Sequence, residues 1–144
     1  MIRRATPQDL ELLERLEHAS FPDHWSRATL HNSLVEPNYL VLLAGDIGFL
    51  LGWNVGDEAE IARLGVLQSA RGQGLGLALV RAALEEWQSR GVTSVFLEVR
   101  SSNEVAVRLY ERAGFEEIAR RPNYYANGEE ARVMKSGLRS QPAK

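Results

Sequence analysis

The chain has no cysteine, and lysine occurs only at Lys135 and Lys144 among its 144 residues. The lack of thiols excludes disulfide bonds, thiolate metal sites and a cysteine nucleophile, and it fits a reducing compartment. No apolar run approaches the roughly 20 residues that span a bilayer, and the first residues lack the apolar stretch of a secretory signal. We therefore expect a cytoplasmic protein that does not bind a membrane.

An excess of positive charge is also missing, since the formal net charge is −2. No basic field is present to hold nucleic acid, so we expect no direct nucleic-acid contact. The histidines lack the mutual spacing of metal ligands, and no metal is predicted; they are His18, His24 and His31. The length indicates one domain, which we place at residues 1–136. Residues 137–144 lack an apolar anchor and are expected to form a disordered tail.

Hydrophobic periodicity divides the domain into strands and helices. Leu10, Leu13 and Leu16 form a helical stripe, whereas glycine-aspartate pairs at 45–46 and 56–57 separate three strand-like runs. Strands are predicted over 2–5, 39–43, 47–55, 59–67, 92–99, 115–119 and 131–134, and helices over 7–20, 26–37, 74–90 and 103–113. This order predicts an α+β (mixed α/β) fold in which helices flank a mainly antiparallel central sheet.

A glycine-rich run at residues 71–76, RGQGLG, leaves a predicted strand and begins a predicted helix. Exposed N–H groups at a helix start bind phosphate well, and Arg71 adds positive charge. The positions without side chains, Gly72, Gly74 and Gly76, allow a pyrophosphate to approach the backbone. Leu77 stands where a nucleoside-triphosphate loop needs lysine, and it also occupies the position where the dinucleotide fingerprint needs its third glycine or an alanine. Neither of these phosphate-binding loops is therefore present. A turn that only packs a helix on a strand is the alternative.

The spacing Arg71-x-x-Gly74-x-Gly76 resembles the acetyl-CoA pyrophosphate loop of the GNAT family of N-acetyltransferases. Two further blocks strengthen the resemblance: LEVRSSN at 97–103, followed by Tyr110 and by Gly-Phe at 114–115, and NYYANGEEA at 123–131. Within that family the chain is most similar to the bacterial ribosomal-protein-alanine N-acetyltransferases of the RimI type. The likeness covers essentially residues 1–135. The chain departs from the family at Gln68, where proline is frequent. It also departs in the loop between the first two predicted helices, which residues 23–24 lengthen.

The resemblance implies acetyl-CoA as cosubstrate and assigns roles to individual residues. It implies that Glu98 is the general base, acting through water, and that Tyr110 is the general acid. It further implies that the backbone of residues 64–66 holds the pantetheine and polarises the thioester, and that Asn103 contacts the cofactor. The implied cofactor-binding residues are Leu64, Gly65, Val66, Arg71, Gly72, Gln73, Gly74, Leu75, Gly76, Leu77, Asn103 and Tyr110.

For the acceptor, the resemblance implies a slot for a peptide N-terminus. The implied acceptor-binding residues are Phe21, Pro22, Trp25, Tyr124 and Tyr125. A terminal α-amine, with a pKa of about 7.7–8.0, is far more often neutral near pH 7 than lysine, with a pKa of about 10.4. We therefore expect a protein N-terminus as acceptor, with N-terminal alanine of a small-subunit ribosomal protein as the candidate. The chain is expected to be a monomer or weak dimer.

Each of these residues also has an alternative interpretation in which its role is only structural. Glu98 is compatible with a solvated strand end, Tyr110 with core packing and Asn103 with a helix cap. Tyr124 and Tyr125 suit a cross-strand aromatic pair, while the first-loop aromatics and both Trp53 and Trp87 suit packing. The spacing permits Glu98 and Tyr110 to come level, since strand and helix each cover about 10 Å between them. At the level of function, the alternatives are a GNAT enzyme acting on lysine or a small amine, and a catalytically silent acyl-CoA-binding module.

Overall fold

The computed structural model describes residues 1–138, which form a sheet of seven strands flanked by helices. The strands are β1 (Ile2–Arg4), β2 (Tyr39–Ala44), β3 (Gly48–Val55), β4 (Glu58–Val66), β5 (Ser94–Arg100), β6 (Glu116–Arg121) and β7 (Ala131–Gly137). The helices are α1 (Leu10–Ser20), α2 (Arg27–Val35), α3 (Leu75–Ser89) and α4 (Glu104–Arg112), with short 3-10 turns at Pro7–Asp9 and Gln68–Ala70.

The strand order across the sheet is β1-β2-β3-β4-β5-β7-β6. All neighbours pair antiparallel except β4 and β5, which are parallel. The predicted order of elements and the mixed α/β fold class are therefore confirmed. The parallel pair follows from the chain path, because the crossover from β4 to β5 contains α3.

The two faces of the sheet carry separate apolar cores. On one face, α3 and α4 pack against side chains such as Leu50, Ile61 and Leu97. On the other face, α1 and α2 cover Val41, Phe49 and their neighbours, where Leu13, Leu16 and Leu30 are buried. Trp87 is fully buried in the first core, as expected for a packing residue. A side chain's place on a strand therefore decides which half of the molecule it serves.

β4 and β5 separate part-way along their length. They pair only from Glu58 with Ser94 to Ile61 with Leu97, although both strands continue for several residues. Next to this point β4 carries a bulge: Arg63 is opposite Leu51 and Ile61 is opposite Gly52, so that Ala62 has no partner on β3. A bulge bends its strand and re-aims the following side chains. A gap therefore opens between the two strands beyond Ile61 and Leu97.

The end of the domain lies slightly later than expected. Gly137 pairs with Ser94 as the last residue of β7, and the Leu138 N–H donates to the Thr93 carbonyl at 2.8 Å. Leu138 also packs against the α3/α4 core. The predicted boundary at 136 is corrected to include these residues, because β7 continues pairing along the whole of β5. The rest of the predicted tail, residues 139–144, lies outside the described residues.

Candidate active site

The edge of β4 that faces the gap carries backbone groups that pair with no strand of residues 1–138. The Leu67 N–H donates to the Ile47 carbonyl at 2.8 Å, and hydrogen-bonding alternates along an antiparallel pair. This alternation turns the N–H and C=O of Gly65 toward β3 and those of Leu64 and Val66 toward the gap. Beyond the end of the β4–β5 ladder these groups lack a strand partner. Leu64 and Val66 are therefore placed to bind an extended amide-bearing ligand as an added strand would.

Gly65 and Arg71 have roles that the sequence does not predict. A Cβ on Gly65 would lie 2.6 Å from Ser20 Oγ and 2.8 Å from Phe49 Cε1, so a side chain there would displace α1 from the sheet. Arg71 donates from Nε to the Val66 carbonyl at 3.0 Å. This bond bends the arginine back along the gap, beside the same edge of β4. Gly65 thus serves packing, and Arg71 connects the glycine loop to the end of β4.

The glycine loop has the backbone shape that an anion site needs. Gly72 and Gly74 have φ of +83° and +78°, in the left-handed region, and Gly74 is the N-cap of α3. A Cβ on either would meet nothing within 4 Å, so conformation and not crowding demands glycine here. The first bond of α3 runs from the Ala78 N–H to the Gly74 carbonyl. The preceding amides, those of Leu75, Gly76 and Leu77, have no intrahelical partner.

The remaining residues of the loop divide between the ligand side and the core. A Cβ on Gly76 would lie 2.9 Å from Leu109 Cδ1, so Gly76 allows α3 and α4 to approach each other. Leu77 is buried and Leu75 packs against the α3/α4 core, whereas Gln73 is exposed. The side chains of the two leucines therefore anchor the helix start, and only their amides are available to a phosphate. This open, amide-lined start beside Arg71 fits a pyrophosphate.

Asn103 and Tyr110, both predicted near the cofactor, belong to α4. Asn103 is the N-cap of α4, and its side-chain oxygen accepts the Ala106 N–H at 3.2 Å, as the helix-cap alternative expects. Tyr110 is buried, with its ring centroid 5.8 Å from that of Phe115. Burial, and to a lesser degree Tyr125, raises the pKa of Tyr110 well above its usual range. The phenol therefore remains protonated at physiological pH.

A cavity of about 280 Å³ opens on the α1/α2 side of the gap. It is lined by Asp23, Trp25, Trp53, Glu60, Ile61, Ala62, Arg63, Glu98, Tyr124 and Tyr125. The rings of Trp25 and Trp53 are stacked at 6.3 Å, and those of Tyr124 and Tyr125 meet edge to face at 5.0 Å. A second cavity of about 330 Å³ shares Glu60 and Glu98 with the first. Aromatic walls and acidic groups together suit a cationic, peptide-like ligand.

Glu98 is held by two neighbours in this cavity. Its Oε1 accepts a hydrogen bond from the Tyr124 hydroxyl at 2.7 Å. Its Oε2 lies 3.0 Å from Arg121 Nε in an ion pair that lacks hydrogen-bond alignment. The hydrogen bond to the Glu98 carboxylate raises the pKa of Tyr124 to about 12, and burial and the negative charge of Glu98 act in the same direction. Tyr124 is therefore a hydrogen-bond donor to Glu98 throughout the physiological range.

Glu98 and Tyr110 lie on opposite faces of the sheet. Leu97 and Val99 point into the α3/α4 core with Tyr110, so that Glu98, between them on β5, points to the α1/α2 side. The structure thus places Glu98 in the cavity and Tyr110 in the α3/α4 core, on the two faces of β5. That the two side chains come level stays a prediction.

The loop after α1 is fixed by a buried carboxylate. Glu17 is fully buried, accepts the Trp25 N–H at 2.6 Å, and has Oε2 3.3 Å from Arg63 Nε. The Arg63 guanidinium lies 4.4 Å from the centroid of the Phe21 ring. Phe21 therefore packs behind Arg63, and Pro22 is exposed in the turn. Among the predicted acceptor residues, Trp25, Tyr124 and Tyr125 line the cavity, whereas Phe21 and Pro22 do not.

Several residues line the cavity although the sequence predicts no acceptor-binding role for them. Trp53, assigned to packing, packs against Tyr39 and also lines the cavity. Glu60 could have been found from strand alternation, since Ala59 and Ile61 on either side of it are buried. Arg63 could not, because the bulge at Ala62 sets its direction. The sequence also gives no sign that the His18 and His24 rings lie 3.7 Å apart.

Two features are absent from residues 1–138, a metal-binding cluster and a membrane-spanning helix. No group of three or more His, Asp or Glu side chains within this range is arranged to hold a metal ion. None of the helices in the same range combines the length and the apolar character needed to cross a membrane.

Comparison with known proteins agrees with this geometry. The acetyltransferase (GNAT) family model matches residues 8–115. The ribosomal protein bS18-alanine N-acetyltransferases of Haemophilus ducreyi and Escherichia coli K12 are 35% and 38% identical, over 87% and 78% of this chain and 88% and 76% of their own. The crystal structure of the ribosomal-protein-S18-alanine N-acetyltransferase from Escherichia coli is similar with a TM-score of 0.87 and 32% identity, over 100% of this chain and 96% of that one. The chain thus belongs to the GNAT family of acetyl-CoA-dependent N-acetyltransferases.

Proposed function

We propose that the protein acetylates the α-amino group of a protein N-terminus, and that the acceptor is the N-terminal alanine of ribosomal protein bS18. The observation that carries this proposal is the gap between β4 and β5, beside a peptide-sized acidic cavity that Glu98 lines, with Tyr110 in the core on the opposite face of the sheet. The relatives named for this reaction support the choice of acceptor. With such an acceptor, the reaction takes place in the cytoplasm.

In this proposal the glycine loop and β4 hold the donor. The amides at the start of α3 and the guanidinium of Arg71 bind the pyrophosphate. Leu64 and Val66 bind the pantetheine through their backbone groups on the open edge of β4. Acetyl-CoA supplies an acetyl thioester, whose carbonyl carbon is open to attack by an amine. One chain provides all of these groups, which supports a monomer as the active unit.

Glu98 and Tyr110 handle the protons. Glu98 takes a proton from the acceptor's α-ammonium through water, which leaves a neutral nitrogen lone pair to form the new N–C bond. Tyr110 retains its proton because it is buried, and it gives a hydrogen bond or that proton to the departing sulfur as the C–S bond breaks. Glu98 passes the first proton on to water and then takes the second proton, which the nitrogen loses as the amide forms. Where Tyr110 has given its proton to sulfur, it regains one from solvent, so that the net products are the acetylated amine, the free thiol and one released proton. The two groups act from opposite faces, so neither blocks the other.

The chemistry of the cavity favours an α-amine over a lysine side chain. About 10–20% of an N-terminal amine is neutral near pH 7, against well under 0.1% of lysine. A carboxylate acting through water is sufficient for the first group and weak for the second. The edge-to-face pair Tyr124 and Tyr125 and the stacked Trp25 and Trp53 bound a space for the first peptide residues.

The test is thiol release from acetyl-CoA with a panel of short peptides. The panel varies the first residue among Ala, Ser, Gly, Met and Leu on the bS18 N-terminal sequence, and mass spectrometry locates the acetyl group. Matched controls are the same peptides with a blocked N-terminus and a free lysine. We expect turnover with the free Ala peptide and none with the blocked ones. Turnover of the blocked peptides would favour a lysine acetyltransferase, and CoA binding without thiol release would favour a silent binding module.

A further inference from the structure

Glu60 lies beside Glu98 on the acceptor side of the sheet. Glu60 is opposite Phe96 in the β4–β5 ladder, and Glu98 follows two residues later on the same face. A strand spacing of about 4.8 Å and a rise of about 3.3 Å per residue put their Cα atoms about 8 Å apart. Both side chains line both cavities. The two carboxylates therefore flank a space wide enough for one ammonium group.

The Glu60 carboxylate has no partner among residues 1–138. No hydrogen bond or ion pair of this range engages it, whereas Glu98 has both Tyr124 and Arg121. The other cation of the cavity, Arg63, is committed to Glu17 and donates to the Asp23 carbonyl at 3.0 Å. Arg63 therefore cannot neutralise Glu60 without giving up the contacts that fix the loop after α1.

The surroundings of Glu60 favour a cation. Burial and the charge of Glu98 raise the pKa of Glu60, while Arg121 opposes this effect. A half-buried carboxylate beside another carboxylate is costly until a positive charge joins it. Trp25 and Tyr125 line the same cavity, but Arg63 and Arg100 already lie over their rings, at 5.2 Å and 3.9 Å from the centroids. The attraction for a further cation therefore comes from the two carboxylates.

An α-ammonium has three N–H donors and needs several acceptors when it leaves water. Glu98 already accepts from Tyr124 and lies against Arg121, so it cannot satisfy this group alone. We propose that Glu60 binds the α-ammonium of the acceptor peptide beside Glu98 and orients it while Glu98 takes its proton. This role rests on the proposed function. It makes Glu60 an acceptor-binding residue that distinguishes a charged terminus from a neutral one.

Direct binding tests the role of Glu60 without turnover. The protein saturated with CoA is titrated by calorimetry with an alanyl peptide and with the same peptide carrying a lactyl group, in which a hydroxyl replaces the ammonium. We expect the wild type to bind the alanyl peptide more tightly. We expect Glu60→Gln to lose about tenfold of this preference, the order of one charge-assisted bond. An undiminished preference in Glu60→Gln overturns the proposal.

The matched control is Asp57→Asn, which makes the same change of charge in the exposed turn before β4. It should keep the full preference, and an equal loss there would show that Glu60 acts only through net charge and would overturn the proposal. Glu60→Thr, which suits a strand, replaces Glu60→Gln if the latter does not fold. In kinetics, Glu60→Gln should raise KM for the peptide about tenfold with little change in KM for acetyl-CoA.

The failures of the two proposals can be told apart. A wild type that acetylates no peptide N-terminus overturns the proposed function. A wild type that acetylates peptides and prefers the alanyl form, together with a Glu60→Gln variant that keeps this preference, overturns only the role of Glu60.

Discussion

Glu17 and Arg63 form an ion pair beside the cavity of about 280 Å³, with 3.3 Å between Oε2 and Nε. The pair connects the last turn of α1 to β4 just after the bulge at Ala62. Glu17 also accepts the Trp25 N–H, and Arg63 donates to the Asp23 carbonyl, so this pair fixes to the sheet the loop that carries one wall of the cavity. The rigidity of this wall therefore depends on a charge in the core.

We expect Glu17→Ala to lower the free energy of unfolding by about 3 kcal/mol, because it leaves the Arg63 guanidinium with little solvent and with only the exposed Asp23 carboxylate, 3.9 Å away. Urea denaturation measures the change. The control is Glu14→Ala on the same helix, which breaks a surface pair with Arg27 and should cost at most about 1 kcal/mol. Equal losses in both variants would contradict the structural role of Glu17.

Gly74→Glu is expected to abolish CoA binding. The substitution forces a left-handed residue and places a negative charge where the phosphates would lie. Gly56→Glu is a matched control, since Gly56 has φ of +60° and equally open surroundings but lies in the β3–β4 turn. Calorimetry should show normal CoA affinity for Gly56→Glu. Micromolar binding by Gly74→Glu would refute the assignment of the loop.

Tyr110→Phe should reduce kcat by about 100-fold or more while affinity for acetyl-CoA stays nearly the same. The ring that packs on Phe115 is retained, so only the hydroxyl is lost. Steady-state kinetics and calorimetry measure the two quantities, and the melting temperature reports whether packing is intact. Unchanged kcat would remove Tyr110 from the mechanism and leave it as a core residue.

Glu98→Gln should lower kcat by about 100-fold or more, since an amide cannot take the acceptor's proton. The Gln side-chain oxygen can still accept from the Tyr124 hydroxyl, so the geometry of the cavity is preserved. Tyr124→Phe removes that hydrogen bond alone and should have a smaller effect on kcat. If Tyr124→Phe were the more damaging change, the base would have to be sought elsewhere.

The loss of folding stability at low pH should depend on Asp9. Hydrogen bonds from Arg3 and from the Thr6 N–H lower the pKa of Asp9 to about 2. Because its folded pKa lies below the unfolded value of about 3.9, its contribution is present above that pH and is lost as the pH falls toward 2. We expect Asp9→Asn to be less stable than wild type at pH 6 and to converge with it near pH 2, by urea denaturation. Asp46→Asn, in an exposed turn, serves as control.

Local patterns predict the order of elements and the glycine loop because each depends on neighbours in the chain. Gly74 is needed for its own backbone angle, and the apolar stripe of α1 shows in its leucines. Glu17 lies on the same helix and looks like a surface residue until β4 brings Arg63 to it. The direction of Arg63 in turn depends on the register of β3 against β4.

For a related reason, the sequence does not show that Glu98 and Tyr110 lie on opposite faces of the sheet. Their spacing along the chain places both near one level, but only the sheet shows that β5 separates them by face. For Glu60, strand alternation in the sequence predicts the direction of the side chain. Its nearness to Glu98, however, depends on the parallel pairing of β4 with β5. Sequence thus predicts the individual groups, and pairings between distant strands decide which groups meet.

The divergence of β4 from β5 leaves a gap within the sheet. In the proposed binding mode, acetyl-CoA and the acceptor polypeptide enter this gap from its two sides without sharing an entrance. We therefore expect a folded substrate of any size to be accepted, provided that its first few residues are free to extend. The acetylated terminus can then withdraw while the spent carrier is still in place.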